Sequence, residues 1–116
     1  MFDFENLEVY KKTLNFNKDV FSFIKEHSSI DAFLQNQLKR ASTSILANIA
    51  EGAGRYSYSD KSHFFIIARG SAYETAAFLN FIYDQYPFDT AKFTVLRNEL
   101  FNIVRMLFGL TKYSKK

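Results

Sequence analysis

The sequence predicts an all-α protein, an antiparallel up-down-up-down four-helix bundle, on three observations. Apolar residues recur at spacings of three and four in four long segments, no stretch alternates with period two, and one proline and four glycines leave few interior breaks. At 116 residues the chain is long enough to bury a core without staples.

In the first segment Leu7, Tyr10, Leu14, Phe21 and Ile24 form one stripe, with Asn17 in the missing step, and Val9, Phe16, Val20 and Phe23 form a second. "EHSSID" breaks this helix, and Ser28 with Asp31 has capping-box spacing, with Ser29 as an alternative cap. Leu34, Leu38, Ile45, Ile49 and Gly52 mark the second helix. The third, from about Ser59 to Tyr83 with Ser57 as cap, is apolar nearly all round and is expected to be the most buried. Pro87 stops it, Asp89 caps the fourth, and Phe88 with Phe93 makes a hydrophobic staple. Phe93, Leu96, Leu100, Ile103, Leu107 and Leu110 continue the fourth helix. The domain is expected to span residues 1–111, followed by a basic tail at 112–116.

Composition narrows function mostly by exclusion. Without cysteine there is no disulfide framework and no thiolate nucleophile or ligand. The opening "MFDFENLEVYKK" lacks signal-peptide character, and the longest apolar run, Phe64 to Ala68, is too short for a bilayer, so a cytoplasmic protein with no membrane role is expected. Of the net charge of +3, three charges come from Lys112, Lys115 and Lys116, leaving a body that is about neutral. The 14 Phe and 7 Tyr are more aromatic surface than a small domain hides easily, which points to contacts between copies.

The stretch "NIAEGAGR" invites a phosphate-loop reading, but a helix rather than a strand precedes it and no Gly-Lys-Ser/Thr follows. It is read as a helix terminus, with glycine supplying a left-handed closing residue and Arg55 favouring the dipole. Upstream, Gln37, Arg40, Ser44, Asn48 and Glu51 fall within a stripe roughly 80° wide beside the apolar face. Polar residues so placed are expected to pair across helices or subunits; a solvated face is the plain alternative. His27 and His63 have no partner at metal-ligand spacing, and no serine sits in a nucleophile elbow. Glu51 and Glu74 would form a carboxylate pair only if the second and third helices brought them together. No enzyme, metal or cofactor is expected.

"QLKRASTSILANIAEGAGRYS" and "FFIIARGSAYE", with the opening "FENLEVYKK", resemble the bacterial four-helix-bundle family linked to 23S rRNA intervening sequences. The matches run through Gln37, Arg40, Ala41, Ser44, Ile45, Asn48, Ile49, Ala50, Glu51, Gly52, Gly54 and Arg55, then Ala68, Gly70, Ser71 and Glu74. The resemblance implies an antiparallel bundle assembling as a homopentamer, without enzymatic activity. It also implies a likeness to the accessory protein of diversity-generating retroelements, which contacts a reverse transcriptase and nucleic acid. Two departures are Lys61, where the family commonly has an aromatic, and Ala76, near a common second acid. Lys61 is expected to lie as a stem under Tyr56, in a staple or cation–π contact.

Two readings of function follow. In the first, the chain is a non-enzymatic, ring-forming accessory protein associated with RNA or DNA. Gln37, Arg40, Ser44, Asn48, Glu51, Arg55 and Glu74 would fix its assembly. Lys39, Arg40, Arg55, Lys61, Arg69, Lys112, Lys115 and Lys116 would contact phosphates. In the second it is a protein-interaction scaffold with no nucleic-acid role, its partner surface marked by Tyr58, Tyr73 and Tyr83.

Overall fold

The computed structural model describes residues 2–114, with side chains described as far as Thr111. After a 3-10 turn at Asp3–Asn6, four helices follow: α1 Glu8–Glu26, α2 Ala32–Ala53, α3 Tyr58–Gln85 and α4 Thr90–Ser114. The 28 residues of α3 span about 42 Å at 1.5 Å per residue, which accounts for the long axis of a molecule measuring 45 × 25 × 22 Å.

Side-chain pairings give the helix directions. Between α2 and α3, Arg40 meets Glu74 and Ser44 meets Ser71, while Gly52 lies against Phe65. Between α3 and α4, Arg69 meets Phe108, Asn80 meets Arg97 and Tyr83 meets Phe93. In both pairs one number rises as the other falls, so the helices run antiparallel. Each helix touches its two neighbours around the square, and among the described residues the backbones of the diagonal pairs α1–α3 and α2–α4 do not approach one another. Phe16, Val20 and Phe23 of α1, Leu38, Ile45 and Ile49 of α2, Leu79 and Ile82 of α3, and Leu96, Ile103 and Leu107 of α4 are fully buried along the axis.

Of the local expectations, the caps at Ser57 and Asp89 and the Phe88–Phe93 staple hold, and others change. The α2 cap is Asp31, whose Oδ1 accepts from Phe33 N at 2.9 Å; Ser28 and Ser29 stay in the turn because Ile30 must reach the core, where it is buried. The α3 cap is Ser57, accepting from Asp60 N at 3.1 Å, and Asp89 caps α4 by accepting from Ala91 N at 3.0 Å. Phe88 and Phe93 meet edge to face at 5.9 Å. Lys61 does not sit under Tyr56, which is wholly exposed. Its amine donates to Ala53 O at 2.9 Å, because the last carbonyls of α2 lack intrahelical donors and carry the negative end of the dipole.

The glycines also act differently from expectation. Gly54 follows α2 at φ −84°, ψ −6°, and no glycine has positive φ among the described residues. Gly52 lies inside α2 and is buried; a Cβ there would fall 2.8 Å from Phe65 Cε1 and 3.0 Å from Phe64 Cβ. The glycine is needed for helix approach rather than for a turn. Nor is α3 wrapped all round. A helix at one corner of a square bundle is covered on two sides, so Ile66, Ile67, Tyr73 and Phe81 face outward. Phe21 is likewise half-exposed, with Lys39 Nζ 5.5 Å from its ring centroid. Helix α4 is continuous through residues 112–114, the first part of the expected tail. The Lys112 side chain, Lys115 and Lys116 lie outside the described residues.

Candidate functional site

The α2 ladder lies on the flank facing α3, and its bonds close within one chain. At one end Arg40 Nη2 donates to Glu74 Oε2 at 2.7 Å, and Arg40 Nε and Nη2 donate to Gln37 Oε1 at 3.0 and 2.9 Å. In the middle the Ser44 and Ser71 hydroxyls are 2.9 Å apart, and Asn48 Nδ2 donates to Ser44 O at 2.8 Å. At the far end Arg55 donates to Glu51 Oε1 at 2.7 Å, its guanidinium 4.5 Å from the Phe64 ring centroid. The Arg40–Glu74 side chains remain 52% and 43% exposed. An ion pair in that environment contributes at most about 1 kcal/mol, so the ladder sets register more than it adds stability. Ser71 was a missing member of the predicted network. Its signal was available, since it stands three residues before Glu74 on the same flank of α3.

The expected phosphate contacts do not gather into one patch. Lys39 turns toward α1, over Phe21. Arg40 and Arg55 share the α2/α3 groove but stand 15 residues apart, about 22 Å along the helix, each against a carboxylate. Lys61 closes the end of α2, and Arg69 lies on the opposite flank of α3, 4.0 Å from the Phe108 ring centroid. Residues of one type along a helix are dispersed around it unless their spacing keeps to three and four, and these do not.

A carboxylate pair from Glu51 and Glu74 is ruled out by the register. Gly52 faces Phe65, which leaves Glu74 roughly 12 Å further along α3, and each glutamate binds its own arginine. His27 Nδ1 lies 2.8 Å from Phe23 O, and the ring tilts over that of Phe23, a packing role. Among the described residues no three His, Asp or Glu side chains are placed to hold a metal. Among the described residues no helix is long and apolar enough to cross a membrane. Of the tyrosines expected to mark a partner surface, Tyr58 and Tyr73 are exposed. Tyr83 is not free: its ring stacks on Phe93 at 4.1 Å and its hydroxyl lies 2.8 Å from that of Thr90.

The sequence reading missed one titratable pair. Glu99 of α4 lies beside Asp19 of α1, and its carboxyl is pushed from an ordinary value of 4.5 up to about 7. Burial is the main cause, followed by the hydrogen bond to Asp19 and the negative charge there, with Lys92 and Lys12 opposing. The folded chain therefore holds a proton that the unfolded chain releases between these values, so stability falls as pH rises from about 4.5 to 7. Glu99→Gln is expected to remove that decline, melting above the parent at pH 8 and converging with it toward pH 4. Parallel melting curves for the two proteins across this range would contradict the assignment.

A family model described as 23S rRNA-intervening sequence protein matches residues 5–109. Among solved structures, the chain is similar to a protein of unknown function from the S23 ribosomal protein family of Bacteroides thetaiotaomicron. The TM-score is 0.83 at 24% identity, over 90% of this chain and 98% of that one; at this identity the likeness speaks for the fold. No curated protein matches the chain.

Proposed function

This chain belongs to the 23S rRNA-intervening sequence protein family, and from that premise we propose that it is a non-enzymatic bundle that assembles with copies of itself into a ring and serves in the cytoplasm as an RNA-associated accessory protein. The observation that carries the assembly part is the apolar surface left outside the core: Ile66, Tyr73 and Phe81 on α3, with Phe101 and Phe108 on α4. Monomeric proteins rarely expose contiguous apolar patches of this kind. A pentamer is the copy number the family resemblance implies.

Nucleic-acid contact rests on the family association and on cation placement. One copy offers separated cations rather than a patch, so affinity comes from repetition around the ring. The contacts are phosphate-directed and do not distinguish RNA from DNA by base. For three phosphates on a single strand, binding is expected to weaken roughly twentyfold between 50 and 200 mM salt. Titrating labelled single-stranded RNA across this range checks the reading; no binding at low salt, or an affinity flat in salt, contradicts it. A second reading, a scaffold for a protein such as a reverse transcriptase, is favoured by the exposure of Tyr58 and Tyr73. Protein without RNA in the material that co-purifies would select it.

A further inference from the structure

At the end of the bundle where α2 gives way to α3, the 3-10 turn and all four helices border an open-mouthed cavity of about 560 Å³. That volume falls in the range of roughly 300–1,000 Å³ in which small-molecule sites are found. The inner wall is apolar. Leu7 at the start of α1, Phe65 of α3 and Leu110 of α4 line it, Phe65 buried and the two leucines half-buried.

Two opposite charges stand at the same walls. The Lys61 side chain is half-buried and its amine is held on Ala53 O at 2.9 Å, so the fold sets its position. An ammonium carries three donors, and this bond uses one of them. Asp3 is exposed in the 3-10 turn. The two line one cavity, yet neither forms an ion pair among the described residues, with the other or with any third group. The backbone repeats the pattern. Ala53 ends α2 and Tyr58 begins α3, so the negative end of one helix dipole and the positive end of another meet at this mouth.

We propose that this cavity binds a small apolar zwitterion, a hydrophobic α-amino acid or a short apolar peptide. Its side chain lies against Leu7, Phe65 and Leu110, its carboxylate meets Lys61 and its ammonium meets Asp3. A guest with a carboxylate alone would set that group against Asp3, and one with an amine alone would set it against Lys61. Charge complementarity therefore selects a guest that carries both. Such a guest bridges the 3-10 turn, the α2–α3 junction and α4, so binding raises the melting temperature of the chain. The site needs neither assembly nor nucleic acid, and its failure would leave the proposed function standing.

The test uses the full chain, isothermal titration calorimetry and thermal melting. The probes are leucine and leucyl-leucine, with isocaproate, which lacks the amine, isoamylamine, which lacks the carboxylate, and glycine, which lacks the apolar side chain. Leucine or leucyl-leucine is expected to bind with a Kd of about 1 mM or tighter and to raise the melting temperature, the tighter of the two identifying the source. Isocaproate and isoamylamine are each expected to bind roughly tenfold more weakly, the cost of one lost charge-assisted bond, and glycine more weakly again. Asp3→Asn and Lys61→Met are each expected to weaken leucine binding by about the same factor, while Lys18→Met, exposed on α1, binds as the parent does. No binding of either zwitterion at tens of millimolar overturns the site. So does isocaproate or isoamylamine binding as tightly as leucine, or an unchanged affinity in either charge variant. Should Lys61→Met lose helix content by circular dichroism, Asp3→Asn, in an exposed turn, decides with the same two outcomes.

Discussion

Replacing Gly52 with leucine is expected to lower the stability of the bundle by about 3 kcal/mol, toward the upper end of what overpacking a core costs. Intrinsic preference argues the other way, because any ordinary residue is a better helix former than glycine by up to about 1 kcal/mol. Space decides the sign. The first added carbon would already fall 2.8 Å from Phe65 Cε1, on a ring that is buried in the core. The second close neighbour is Phe64 Cβ, an atom fixed to the α3 backbone. Relief therefore requires α2 and α3 to separate near their junction, which loosens the Lys61 bond to Ala53 as well. Urea denaturation should show the loss as a lower midpoint at an unchanged slope. A Gly52→Leu protein as stable as the parent would show that the helices can part there at no cost.

An even larger loss, about 4 kcal/mol at pH 7, is expected from Asn17→Asp. Asn17 is buried between α1 and α2, and its Nδ2 donates to Thr13 O and Ser42 O, both at 3.0 Å. These two carbonyls fix the amide's orientation, since turning it over would set oxygen against oxygen. Its Oδ1 is buried without a partner. A carboxylate in this slot would lose both donors and face two carbonyl oxygens from inside the core. The deficit should shrink in acid, because a protonated aspartate is neutral and regains one donor. Asn17→Leu is the contrasting variant, expected within about 1 kcal/mol of the parent, because it removes the polar group instead of leaving it uncompensated. Denaturation of both proteins at pH 7 and pH 4 checks the pair; equal losses for Asp and Leu would mean that shape, not polarity, governs the site.

Features that depend on near neighbours in the chain were legible in the sequence. Apolar periodicity, the caps at Ser57 and Asp89, and the Phe88–Phe93 staple are set by residues within about a turn of one another. What escaped depends on register between helices. Nothing local says that Gly52 lies on Phe65, that Lys61 reaches back to Ala53, or that Asp19 and Glu99 meet across eighty residues. For the same reason Glu51 and Glu74 were candidates for a pair until the α2/α3 register separated them. The all-round apolar character of α3 was visible, but burial was the wrong inference from it. A square bundle covers two sides of each helix, and the remaining apolar side is available to something outside the chain.

The three ion pairs among the described residues, Lys11–Glu8, Arg40–Glu74 and Arg55–Glu51, all lie at the solvent boundary, while the core is joined by shape and by neutral hydrogen bonds. Ionic strength screens the first kind of contact and scarcely touches the second. Salt thus becomes an orthogonal control over this protein: each chain keeps its fold as ionic strength rises, so a response to salt reports on what the bundle meets rather than on whether it has formed.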